Sequence, residues 1–318
     1  MDQDYEIPIY LIAGFLDSGK TTFLQFTLEQ EYFRIDGKTL LIVCEEGEEE
    51  YNAKKLARYN TVIETIGSQE ELTKEKLAAL EMIHQPERVV MEYNGMWLVS
   101  HLEQMDLPEG WAIDQHIVCV DASTFQVYMK NMKSLFMDMV RNADMVVFNR
   151  CDMTMPLANF RRSIKVVNPA IEVVFETQNG EIQDIFQDSL PYDLDAPVIE
   201  LPPEDYGIWF VDANEHPDVY IGKKVHFQGR VHKSDRLAPN CFVPGRPAMT
   251  CCADDVSFLG FLCESEQVPH LFPNAWVDVT AKVSWEKRRE YRGESGIVLR
   301  GEKIVPCEPL AQEMVYFN

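Results

Sequence analysis

A short apolar run, Ile7 to Ala13, gives way to Gly14-Phe15-Leu16-Asp17-Ser18-Gly19-Lys20-Thr21-Thr22, and a helix-like stretch follows. Two glycines separated by four residues, with Lys and Thr directly after the second, constrain this chain more than any other feature. The spacing is G-x-x-x-x-G-K-[ST], set between a strand and a helix. Glycines there let successive backbone N–H groups turn inward around phosphate oxygens. The N-terminus of the next helix adds partial positive charge. On this reading Gly14, Asp17, Ser18, Gly19, Lys20, Thr21 and Thr22 cradle the phosphates of a nucleotide. Lys20 reaches the β- and γ-phosphates and acts catalytically by neutralising charge, and the Thr21 hydroxyl is a ligand for Mg²⁺.

Such a loop belongs at the end of a parallel strand, and the first part of the chain has the matching rhythm. "IPIYLIA", "TLLIVCE", "TVIETI", "RVVMEY", "HIVCVDA", "DMVVFNR" and "IEVVFET" are short runs suited to strands buried on both faces. Amphipathic stretches lie between several of them. One is "SQEELTKEKLAALEMIH", read as a helix behind a Ser cap. The alternation predicts an α/β fold, a P-loop NTPase parallel sheet with helices on both faces, over residues 1–195. A Pro- and acid-rich stretch at 196–218 reads as a linker. From Val219 the period changes to two. Val225, Phe227 and Val231 face one way and His226, Gln228, Arg230 and His232 the other, predicting a small all-β barrel over 219–318.

Charge narrows the function classes. The net charge is −23, and residues 1–200 hold 16 basic against 35 acidic side chains, so −19 of it falls in the first domain. A surface of that sign repels nucleic acid and anionic membranes. The start of the chain has no basic leader and no stretch reaches membrane-helix length, so neither a signal peptide nor direct membrane insertion is expected. The expected compartment is the cytoplasm, with the eight cysteines reduced.

"MVVFNRCD" ends a strand in Asn149-Arg150-Cys151-Asp152. An Asp carboxylate can accept two hydrogen bonds from guanine N1–H and its exocyclic amine, whereas adenine offers an acceptor at N1. An Arg stem can cover the base, so the tetrapeptide points to GTP, with Asn149, Arg150 and Asp152 at the base. Glu176 to Gly180 either completes that pocket or makes an ordinary turn. Glu92 closes "RVVMEYNG", where a strand-end carboxylate can hold Mg²⁺ or orient the attacking water, and Gly95 leaves room for a backbone N–H near the γ-phosphate. Five glutamates crowd the six positions from Glu45 to Glu50. They form either a solvated acidic loop or a switch segment whose Glu45 approaches a metal.

Taken in order, these elements resemble the CobW-like metal-chaperone GTPases, relatives of the urease and hydrogenase nickel-insertion GTPases. "GFLDSGKTT" is similar to that family's G-F-L-G-[SA]-G-K-T-T, with Asp17 in place of a glycine. "MEYNG" matches E-x-x-G, "CVDAS" matches V-V-D-A, and "RNADMVVFNRCD" matches A-D-x-V-V-x-N-K-x-D. "CEEGEEEYN" lies where the family has N-E-F-G-x-x-x-x-D. The resemblance spans residues 5 to about 190. It implies a slow, Mg²⁺-dependent GTPase that couples hydrolysis to delivery of Zn²⁺ or Co²⁺. The family's C-x-C-C motif is missing: no cysteine occurs between Asn52 and Glu92. A GTP-gated docking protein without metal cargo is therefore the alternative. Partners to consider are a metalloprotein client, a membrane permease and a second copy in a nucleotide-dependent homodimer.

The β-rich region resembles the C-terminal part of a bacterial family encoded near permeases. Arg246, Met249, Cys251, Cys252 and Asp255 match its R-[FP]-x-[IM]-x-C-C-x-x-D signature. The resemblance implies a barrel of oligonucleotide/oligosaccharide-binding type. Cys251 and Cys252 are candidate transition-metal ligands, joined by Cys241, Cys263, Cys307, His226 or His232. Adjacent strand residues point to opposite faces, however, so the pair needs a bulge or turn, and buried structural cysteines are the other reading.

Overall fold

The computed structural model describes residues 7–45, 47, 49–177, 180–182, 190–249 and 256–315. The chain divides into two compact units, Met1–Leu157 with Ala170–Asp184 and Ala158–Pro169 with Ile185–Asn318.

In the first unit the seven runs singled out above are strands: β1 (Ile7–Ala13), β2 (Thr39–Val43), β3 (Thr61–Thr65), β4 (Arg88–Glu92), β5 (Trp111–Asp121), β6 (Met145–Asn149) and β7 (Glu172–Thr177). They pair in parallel in the order β3-β2-β4-β1-β5-β6-β7. A two-residue β8 (Gly180–Glu181) turns back antiparallel on β7. Every residue of β4 is buried, as are Leu40, Leu41 and Ile42 of β2. Covering each leucine or isoleucine contributes about 2 kcal/mol, which is why these strands read as continuous apolar runs. The chain moves one way across the sheet after β1 and β2 and the other way after β3, which under the right-handed crossover rule sets helices on both faces. β1 lies between β4 and β5, where the strand order reverses, and a crevice opens at the carboxyl ends.

Between β3 and β4 the helix spans Lys74–His84 and buries Leu77 and Leu80. Its cap is Thr73, whose Oγ1 accepts from Lys76 N at 3.2 Å, and not Ser68, which precedes a 3-10 turn at Gln69–Glu71. The sequence offers both residue types, and only the hydrogen bond separates them.

The second unit contains β9 (Ile199–Glu200), β10 (Lys224–His232), β11 (Cys241–Met249), β12 (Val256–Gly260), β13 (Leu262–Glu264), β14 (Trp276–Lys287) and β15 (Ser295–Pro306). Pairings run β11-β13-β15-β14-β10, and β10 pairs again with β11, closing a five-stranded barrel. Within it only β13 and β15 are parallel. This is the strand order of an oligonucleotide/oligosaccharide-binding barrel, with β12 extending β11 and β9 beside β10. Val225, Phe227 and Val231 face its core as the alternation predicts. The stretch read as a linker holds the helix Tyr206–Glu215, whose Tyr206 and Trp209 are buried with ring centroids 5.4 and 5.2 Å from Phe227. Arg246 is 1% exposed. It donates to the carbonyls of Pro203, Gln312 and Glu313, so the arginine of the signature fastens the C-terminal segment to the barrel. Among the described residues no helix is long and apolar enough to cross a membrane.

Candidate functional site

The loop after β1 leads straight into α1 (Lys20–Glu29). Gly19 caps α1 at φ 91°, and a Cβ on it would sit 2.7 Å from Asn149 Nδ2, so both backbone sign and space require glycine. Gly95, beyond the end of β4, lies so near that a Cβ would meet Gly14 O at 2.4 Å. The two glycine motifs, distant in sequence, are in contact.

A cleft of about 280 Å³ opens above this loop, lined by Leu16, Asp17, Gly19, Lys20, Thr21, Thr22, Glu45, Gly47, Glu49, Glu92 and Arg150. Lys20 is 3% exposed, and its Nζ donates to Gly14 O and Phe15 O, each at 2.9 Å, and to Glu45 Oε2 at 2.6 Å. The Glu45 Oε1 atom accepts from Gly95 N at 3.3 Å. Thr21 Oγ1 donates to Glu92 Oε1 at 2.9 Å, and the Tyr51 hydroxyl donates to Glu92 Oε2. Burial pushes the Glu92 carboxyl above the usual range, against the opposing pull of the Tyr51 hydrogen bond and the Lys20 charge. These positions gather a cation, a hydroxyl and two carboxylates within the 280 Å³ space, the donor set that holds a phosphate chain and a hard divalent cation.

The Asn149–Asp152 stretch is tied to the loop. Asn149 Nδ2 donates to Ser18 O at 2.6 Å. Arg150, at φ 53°, donates from Nη1 to Asp17 O at 3.0 Å and to Asp121 Oδ2 at 2.6 Å. Burial raises the Asp121 carboxyl, but the hydrogen bonds from Ser123 and Arg150 outweigh it and hold the group below its ordinary value. Ser18 Oγ and Asn149 Oδ1 are buried without a hydrogen-bond partner among the described residues. Orphaned polar atoms on both sides of a Gly-Lys-Thr turn fit a site shaped for a polar ligand. Asp152 is exposed and its Oδ1 accepts from Thr154 N at 2.8 Å, the geometry of a turn. Neither Asp152 nor Gly180 lines the cleft. Gly14, Ser18 and Asn149 support it from outside the lining.

Two residues without an assigned role in the sequence belong here, Tyr51 on Glu92 and Asp121 on Arg150. Asp121 had a signal, the "VDAS" motif; Tyr51 had only its place after the acidic run. Cys44, beside Glu92 and Glu45, is pushed up to about 12 by burial and those carboxylates, and Cys119 also to about 12 by burial. Both are thiols near neutrality.

Cys251 and Cys252 lie outside the described residues. Of the side chains expected to join them, His226 is engaged by Glu200 and, at 2.9 Å from Nε2, by Asp278 Oδ1. Cys241 and Cys263 are buried. Among the described residues no group of three or more His, Cys, Asp or Glu is placed to hold a metal ion.

A strand–glycine loop–helix at the switch point of a parallel sheet, with a buried lysine and a carboxylate-paired threonine, defines a P-loop nucleotide-binding protein. Residues 8–175 match the CobW/HypB/UreG nucleotide-binding domain, and the chain belongs to that family. Residues 178–317 match the DUF1980 C-terminal domain. Among solved structures, the hydrogenase maturation factor HypB from Archaeoglobus fulgidus is similar at 18% identity and a TM-score of 0.40, covering 54% of this chain and 82% of that one. The Zn(II)-bound YjiA GTPase from E. coli is similar at 19% identity and a TM-score of 0.42, covering 71% and 73%. No curated protein matches the chain.

Proposed function

We propose that this protein is a slow, Mg²⁺-dependent GTPase working in the cytoplasm, which uses the nucleotide state to govern delivery of Zn²⁺ or Co²⁺ to a client. The carrying observation is the pairing of Lys20 and Thr21 with Glu45 and Glu92 at one end of the sheet. Lys20 and the loop amides neutralise phosphate charge, and Glu92 orients the attacking water. Thr21 and Glu92 would hold Mg²⁺, with Glu45 beside them. The ion supplies charge neutralisation on the transferred phosphoryl group. Asn149 and Arg150 support the base side, and Asp152 reads guanine.

Phosphate release from GTP, followed with and without Mg²⁺, tests the proposal. Release that depends on the metal and vanishes in Lys20→Ala supports it; release unaffected by that change overturns it.

A second reading is a GTP-gated docking protein without metal cargo, with a permease or a second copy as partner. The absence of cysteine between Asn52 and Glu92 favours it, because thiolates make a tight zinc site. Metal analysis of the protein and of its Cys251→Ser, Cys252→Ser variant separates the two. Bound zinc or cobalt lost in the variant supports delivery, and a metal-free wild type at micromolar supply supports docking alone.

A further inference from the structure

Lys20 has three ammonium protons and three acceptors, two of them backbone carbonyls and the third Glu45. The carbonyls belong to the loop itself, so Glu45 is the partner able to leave. Its two oxygens divide between donors from different elements, Lys20 Nζ at 2.6 Å and Gly95 N at 3.3 Å. A lysine ammonium and a strand-end N–H converging on one anion are the arrangement a terminal phosphoryl group requires. The loop amides, by contrast, serve the phosphates nearer the sugar. The Glu45 side chain is 9% exposed and Lys20 is 3% exposed, so the pair is a built contact.

We infer that Glu45 is an internal stand-in for the terminal phosphate, which a nucleoside triphosphate must displace and a diphosphate can leave largely in place. This makes Glu45 a specificity-determining residue that sets the ratio of diphosphate to triphosphate affinity. The inference rests on the cleft being a nucleotide site. Further along the chain the cleft side has two more contacts. Gln25 Nε2 donates to Glu50 O at 2.9 Å, and Tyr51 donates to Glu92.

Equilibrium titration of the full chain with fluorescent GDP and a non-hydrolysable fluorescent GTP analogue, in EDTA and in Mg²⁺, tests this on wild type and Glu45→Gln. Removing the competing charge is expected to tighten the triphosphate about tenfold and the diphosphate no more than about twofold, in EDTA as in Mg²⁺. An unchanged ratio overturns the inference. So does a triphosphate affinity that falls only in Mg²⁺, which would make Glu45 a metal ligand instead. Glu45→Asp keeps the charge but is one methylene short of bridging both donors. It should shift the ratio in the same direction, and it decides the matter if Glu45→Gln does not fold. A wild type that binds neither nucleotide removes the nucleotide reading of the cleft, and this inference with it, whereas binding with an unaltered ratio removes the inference alone.

Discussion

Asp17 carries the backbone at φ 60°, a left-handed conformation that costs an L-residue about 1–2 kcal/mol. It stands where the CobW-like pattern has glycine, and Asp is among the residues that tolerate the position best. Asp17 also lines the cleft proposed to take the phosphates. Asp17→Gly is therefore expected to raise the melting temperature and tighten nucleotide binding together, read by thermal unfolding and titration. A fall in both would show that the side chain does something the backbone angle does not reveal. Glu92→Gln makes the opposite separation. Its isosteric amide keeps the Thr21 contact but cannot orient water as a base. Nucleotide affinity measured in EDTA should stay within about threefold while Mg²⁺-dependent turnover drops by about 10²-fold or more, checked by single-turnover phosphate release.

Among the elements, β5 carries the clearest pH signature. His116 is 2% exposed, and burial lowers it to about 4 from 6.5, against the pull of Asp144 and Asp138. The unfolded chain therefore takes up the proton first as pH falls. The stability His116 supplies is complete above 6.5 and is lost between 6.5 and about 4, a loss of about 3 kcal/mol. Denaturant melts across that window should show the decline, and His116→Asn should flatten it. In the barrel, Arg246 spends its guanidinium on three carbonyls. Arg246→Met should destabilise the protein by about 3 kcal/mol, read by denaturant midpoint, because it leaves buried acceptors unpaired.

The elements also differ in how far the sequence reveals them. β1 to β7 and the period-two strand β10 are legible because burial on two faces or one imposes a composition. The helix Tyr206–Glu215 is not, since its apolar residues sit behind Pro202-Pro203 and two acids, and only packing on Phe227 identifies it. In the site, the loop and Glu92 are visible from spacing. The Lys20–Glu45 pair spans 25 positions and the Tyr51–Glu92 contact spans 41, separations at which no local pattern exists.

For the whole molecule, the boundary between units does not follow the chain. Residues 158–169 belong with the barrel, where Arg161 and Lys165, the latter at 3.1 Å, pair with Glu215, itself 9% exposed. A fragment beginning at residue 196 loses both cations of Glu215 together with the segment that carries them. It should melt well below the same unit inside the full chain, as followed by circular dichroism. An equal melting temperature would show that the barrel does not need residues 158–169.

The proposed GTPase requires a triphosphate in the cleft and Asp152 choosing its base. Competitive titration of labelled GTP by unlabelled GTP and ATP, in wild type and in Asp152→Asn, tests this most directly. Saturable GTP binding, ATP weaker by at least about 10²-fold, and a GTP preference lost in the variant are expected. Equal displacement by ATP, or a preference untouched by the substitution, would contradict the proposal.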